Sequence, residues 1–166
     1  AANITLTGGD GGGGAFIGNS NSQTVVGGGT ISVAATGGNL VMHTSADGTQ
    51  RSAIRSIGGA HRSISLSATG NIDAAGGRLD TAGNLTTNSG LNTTFGLTTA
   101  GSLLATATGS ITNTQTVTVT GAGSLNMTSG GPIVINADLT TANGLITLDA
   151  ATSLTNNATI SNGGGT

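Results

Sequence analysis

Residues 109–149 read GSITNTQTVTVTGAGSLNMTSGGPIVINADLTTANGLITLD. Aliphatic residues return in this stretch at Ile111, Val117, Leu125, Ile133, Leu139 and Ile146, and a wider window adds Leu103 before them and Leu154 and Ile160 after. The steps between these nine anchors are 8, 6, 8, 8, 6, 7, 8 and 6; taken three at a time they become 22 three times and then 21 three times. A period near 20 built from three sub-units is the signature of a solenoid. Upstream, Ile64, Ile72, Leu79, Leu85, Leu91 and Leu97 continue the series with triplets of 18 to 21. Val119, Met127, Ile135 and Leu148 each fall two after an anchor, which puts them on the same face of a strand. Leu104, Val134, Leu145 and Phe95 fall outside that rule.

Glycine stands just before many anchors, as in Gly70-Asn71-Ile72, Gly83-Asn84-Leu85, Gly101-Ser102-Leu103, Gly109-Ser110-Ile111 and Gly131-Pro132-Ile133. Gly and Asn tolerate positive φ, so these dipeptides predict corners between short strands. After each corner comes an alternating segment such as Val117-Thr118-Val119-Thr120, with β-branched Thr outward to favour extended chain. Strands this short make no stable hairpin sheet; coiled so that each pairs with its equivalent one turn on, they form parallel ladders. The expected fold is therefore all-β: a parallel β-helix with three short strands per coil and about 20 residues per coil. It is read as a single β-helix over 1–166, with an irregular, projecting excursion at 43–62. Roughly eight turns would fill the chain and stand about 40 Å tall.

The composition narrows the function. Gly 31, Thr 30, Ser 16 and Asn 15 make up more than half of 166 residues, while the charged residues are six Asp and four Arg, with no Glu, Lys or Cys. Without Cys there is no disulfide framework, zinc cluster or cysteine nucleophile. Four Arg and a net charge of −2 supply too few phosphate contacts for a nucleic-acid binder. The predominance of Gly, Thr, Ser and Asn disfavours helices. No signal peptide and no apolar stretch of bilayer-spanning length is present, so no membrane span is expected and the chain reads as a segment or processed unit of something longer.

The runs Gly83-Asn84-Leu85-Thr86, Gly101-Ser102-Leu103 and Gly144-Leu145-Ile146-Thr147-Leu148-Asp149-Ala150-Ala151 resemble repeats of filamentous haemagglutinin-type exoproteins and of autotransporter passenger domains. The resemblance covers about 64–162 well, and Ile4-Thr5-Leu6, Ile31-Ser32-Val33 and Leu40-Val41-Met42 more loosely. It implies a right-handed β-helix, secretion across a bacterial outer membrane, and a structural, adhesive role on the cell surface or in an extracellular filament. The expected partners are further coils, either flanking ones of the same chain or identical units stacked end to end, and a host or bacterial surface glycan. No cofactor, metal or catalytic residue is expected.

The least repetitive stretch, 43–62, holds both His and three of the four Arg. Arg51, Arg55, His61 and Arg62 are the candidate surface-interaction residues, suited to an acidic glycan or a neighbouring chain. Asp47, Arg51 and Arg55 are spaced four apart, which predicts a short helix over 45–57 with i,i+4 pairs. Two alternatives carry different chemistry. A polysaccharide-processing β-helix enzyme needs converging ionisable groups, for which Asp73 and Asp80 near Arg78 are the nearest set. An ice-binding solenoid needs flat Thr arrays, for which the run Thr116-Val117-Thr118-Val119-Thr120 and the neighbouring doublets Thr86-Thr87, Thr98-Thr99 and Thr140-Thr141 are candidates. The run Gly8-Gly9-Asp10-Gly11 has the glycines of a calcium-binding nonapeptide but misplaces the Asp and does not recur, so it reads as a corner loop. Five Asn-X-Ser/Thr sequons, at Asn3, Asn84, Asn92, Asn126 and Asn157, are what this composition gives by chance.

Overall fold

The computed structural model describes residues 2–8, 16–19, 30–46, 48, 50–56 and 62–163. The chain forms a parallel β-solenoid, with no helix among the described residues. The first coil consists of β1 (Ile4–Thr7), β2 (Phe16–Asn19) and β3 (Thr30–Ala35), and the second of β4 (Leu40–His43), β5 (Ser52–Ser56) and β6 (Ser63–Ala68). Then follow β7 (Ile72–Asp73), β8 (Gly77–Thr81) and β9 (Asn84–Ser89); β10 (Thr93–Phe95), β11 (Leu97–Ala100) and β12 (Ser102–Ala107); and β13 (Ile111–Asn113), β14 (Val117–Val119) and β15 (Leu125–Ser129). The last are β16 (Ile133–Ile135), β17 (Leu139–Thr141), β18 (Ile146–Ala150), β19 (Leu154–Asn156) and β20 (Ile160–Asn162). Every third strand stacks on its counterpart, giving wall 1 (β1 to β19, seven strands), wall 2 (β2 to β20, seven strands) and wall 3 (β3 to β18, six strands).

Every ladder between named strands is parallel, so each inward side chain lies on its equivalent one coil away. On wall 3 the inward column runs Ile31, Ile64, Leu85, Leu103, Leu125, Ile146, an almost even spacing from Ile64 onward. About five coils, β6 to β20, keep this spacing. The first two do not: on wall 1, Ile4 pairs with Leu40 and Leu40 with Ile72, each a much longer advance along the chain. The expected eight turns are accordingly too many. The early corners consume the chain, and the walls are seven strands deep at most, about 30 Å from first to last.

Two of the expected anchors are also corrected. Leu91 lies at a corner, 51 % exposed, and Leu97 faces outward opposite Arg78. The inward positions of that coil are Thr93, Phe95, Thr98 and Ala100, all buried. This coil, ending where Leu103 stacks on Leu85, is the tightest of the regular ones. It keeps ladder register by placing Thr93 between Ile72 and Ile111 and Thr98 between Leu79 and Val117. Thr has the shape of Val, and its hydroxyls find local partners: Thr98 Oγ1 donates to the Gly96 carbonyl at 3.1 Å, and Thr93 shares a 2.8 Å bond with Ser89.

The corners differ from expectation in their physics. Among described glycines, positive φ occurs at Gly48, Gly121 and Gly163, and not at the repeated corner glycines. Gly101, Gly123 and Gly144 instead stack between walls 2 and 3, where an added Cβ would strike a carbonyl oxygen of the coil beneath (Ala82, Gly101 and Gly123 respectively). Coil-to-coil contact, not dihedral freedom, demands glycine there. Asparagine has a different role between walls 3 and 1. Asn3 Oδ1 accepts the Asn39 N–H at 2.9 Å, Asn39 Oδ1 that of Asn71 at 2.8 Å, Asn71 Oδ1 that of Asn92 at 3.1 Å, and Asn92 Oδ1 that of Ser110 at 2.8 Å. Pro132, which has no N–H to donate, occupies the next position of this ladder.

Candidate interaction site

Three of the described charged residues, Arg55, Arg78 and Asp80, meet at one place, the outer face of wall 2 where β5 lies on β8. In β5, Ser52, Ile54 and Ser56 are buried while Ala53 and Arg55 are partly exposed. That period of two is a strand, so the helix expected over 45–57 does not form. The chain instead makes a tongue between walls 1 and 2. It is closed by an antiparallel bridge from Thr44 to Arg51, the Ser45 N–H donating to the Gln50 carbonyl at 2.6 Å, the Gln50 N–H donating to Ser45 Oγ at 2.9 Å, and a turn at Gly48 with φ of 72°. Within 43–62, then, a bridged turn is followed by a regular rung.

Register places Ala53 opposite Arg78 and Arg55 opposite Asp80. Asp80 Oδ2 accepts three bonds: from Arg55 Nε at 3.1 Å, Arg55 Nη2 at 2.9 Å and Arg78 Nη2 at 3.0 Å. The Asp80 side chain is 11 % exposed, against 26 % for Arg55 and 41 % for Arg78. Two guanidiniums share one carboxylate oxygen, and one positive charge remains. Arg78 Nε is buried without a hydrogen-bond partner among the described residues. Arg51, exposed, immediately precedes β5 and is bridged to Thr44.

Of the four candidate residues, the structure brings Arg55 into this cluster and leaves Arg51 at the neck of the turn before β5, bridged to Thr44. Arg62 lies elsewhere, at the corner before β6, with its carbonyl against Gly83. His61 lies outside the described residues, as do Asp47 and Asp10. Arg78 and Asp80 belong to the cluster and were not among the interaction candidates. The signal that finds them is one coil of sequence: Asp80 follows Arg55 by a full turn plus a short insertion, which conceals the pairing from a search at fixed period.

The carboxylates considered for catalysis do not converge. Asp73 is on wall 1, its Oδ1 accepting the Ala75 N–H at 3.1 Å, whereas Asp80 is on wall 2. Asp73 lines a shallow polar groove of about 330 Å³ with Asn39, Val41, Asn71, Asn92 and Thr94, beside the asparagine ladder. The threonine doublets divide between inside and outside: Thr87, Thr98 and Thr141 are buried, and Thr86, Thr99 and Thr140 face out. What remains outside on wall 2 is a single column, Thr99, Thr118 and Thr140, continued by Ser161. Compared with known families, curated proteins and solved structures, the chain matches none. Its fold is that of β-helix repeat proteins.

Proposed function

We propose that this chain is a structural, adhesive rod segment of a secreted bacterial surface protein, of the filamentous haemagglutinin or autotransporter-passenger type, working without catalysis. The observation that supports the reading is continuity: three unbroken parallel ladders whose later coils repeat at a nearly constant interval. A fold that adds identical rungs extends by repetition and suits a filament. The charge-poor walls and the separation of Asp73 from Asp80 favour it over a polysaccharide-processing enzyme, and the split threonine doublets favour it over an ice-binding array. In this reading further coils, from the same chain or an identical unit, cover the outermost rungs. Ile4, Leu6, Ile146 and Leu148 there are half-buried, whereas their neighbours Leu40, Met42, Leu125 and Met127 are fully buried. Negative-stain imaging of the secreted parent protein tests it: rods or filaments are expected, and compact globules would end the proposal.

A further inference from the structure

We propose that Asn143-Gly144, at the corner from β17 to β18, is a site of spontaneous modification, where the chain cyclises to a succinimide and reopens as aspartate or isoaspartate. Three observations carry it. The stacked glycines between walls 2 and 3 follow alanine in Ala82-Gly83, Ala100-Gly101 and Ala122-Gly123, but asparagine in Asn143-Gly144. Asn143 is exposed and its side chain makes no hydrogen bond among the described residues, whereas Asn39, Asn71 and Asn92 commit their carboxamides to the ladder. The Gly144 N–H likewise meets no acceptor among the described residues; its carbonyl is the bonded group, accepting from Thr141 Oγ1 at 2.7 Å. A backbone nitrogen outside the ladders, on a residue without Cβ, is the least hindered nucleophile the main chain offers to a neighbouring carboxamide. The step needs no reactant but water. A solvent base takes the Gly144 amide proton, the nitrogen bonds Asn143 Cγ, the Cγ–Nδ2 bond breaks, and ammonia leaves with a proton from solvent. Water then opens the ring. Cleavage at Cγ leaves aspartate; cleavage at the backbone carbonyl leaves isoaspartate, which adds one atom to the main chain. Gly144 has no room even for a Cβ against the Gly123 carbonyl. The longer corner therefore shifts β18 and loosens the 2.9 Å bond from the Leu125 N–H to the Leu145 carbonyl.

The inference stands whether or not the chain serves as a rod. Two asparagines held in strands give the comparison. Asn162, before Gly163, is in ladder register with Thr141. Asn88, exposed and without a side-chain bond among the described residues, lies inside β9 before Ser89. The full chain is incubated in buffers from neutral to mildly alkaline. Conversion is followed by peptide mapping with mass spectrometry and by enzymatic methylation of isoaspartyl carboxylates. In the folded chain Asn143 is expected to convert about tenfold faster than Asn88, which must first leave its strand conformation. The rate should rise with pH, because the nucleophile is the deprotonated amide. Amide exchange at Leu125 should speed up in the converted fraction. Asn143→Gln, whose longer side chain closes a ring less readily, should lose the signal at this corner and keep the fold. A measurement without any variant compares the unmutated chain folded and in denaturant, where Asn143 should convert no more than about tenfold faster. Conversion at Asn143 no faster than at Asn88, or a larger gain on denaturation, overturns the proposal.

Discussion

The five coils from β6 to β20 and the two before them share the same walls yet spend sequence differently. Later corners are short and locked; earlier ones take many more residues of sequence while the strands on either side stay in register, Ile17 with Ile54 and Ile31 with Ile64. The ladders therefore constrain the rungs and leave corner length free, because lengthening a loop costs only slowly growing closure entropy. A corner is fixed only where the next coil rests on it. Gly123 and Gly48 make the contrast sharp. At Gly123 an added Cβ meets the Gly101 carbonyl; at Gly48, on the tongue, it meets nothing within 4 Å among the described residues. Gly123→Ala is expected to cost about 3 kcal/mol through overpacking against backbone, and Gly48→Ala about 1 kcal/mol for its positive φ alone. Chemical denaturation of both variants measures the difference, and equal losses would mean that the corners are not packed as described.

The asparagine ladder offers a second way to sharpen the comparison, since it runs from the expanded coils into the regular ones. Asn71→Ala removes the acceptor for the Asn92 N–H on the rung above while leaving Asn3 to serve Asn39. A loss of about 1–2 kcal/mol is expected, with water replacing part of the bond at this partly exposed corner. Hydrogen exchange should speed at the Asn92 amide and not at the Asn39 amide. Similar exchange at both would show that the rungs do not hold one another through these side chains.

Within the regular region the tightest coil carries the most polar interior. Thr87, stacked between Leu66 and Ala105, is fully buried with no partner for Oγ1 among the described residues, whereas Thr98 donates to Gly96. Thr87→Val is therefore expected to stabilise the chain by about 1 kcal/mol, and Thr98→Val to leave it unchanged or weaken it. Thermal melts of the two variants decide, and a lower midpoint for Thr87→Val would place an undetected partner beside that hydroxyl.

The same features explain what could be read in advance. The aliphatic period fixes the solenoid because Leu103, Leu125, Ile133 and Leu139 must each stack on a like residue, and all are fully buried. The period fails at Leu91 and Leu97 because it counts hydrophobicity, whereas the ladder selects shape and register, which Thr93 and Thr98 satisfy with their hydroxyls bonded. Corner glycines are visible in the sequence, but their cause is contact with a residue about one coil away, which local dihedral rules do not contain. The Arg55–Asp80–Arg78 cluster was hidden for a related reason: its members meet across an expanded coil, and only register brings them together.

The smallest expected effect tests the claim that early corners are free. A short Gly-Ser-Gly-Ser insertion after Gly48 lengthens a tongue whose tip touches no described neighbouring coil at that glycine and whose neck is closed by the Thr44–Arg51 bridge. A modest extension of such a loop costs about 0.6 kcal/mol or less by closure entropy. The same insertion after Gly123 would push apart its backbone contacts with Gly101 beneath and Gly144 above and so disturb the rungs above and below at once. Denaturation midpoints should barely move for the first insertion and fall by several times as much for the second. If the tongue insertion proved as damaging, β5 would owe its place on wall 2 to the tongue and not to its ladder with β8.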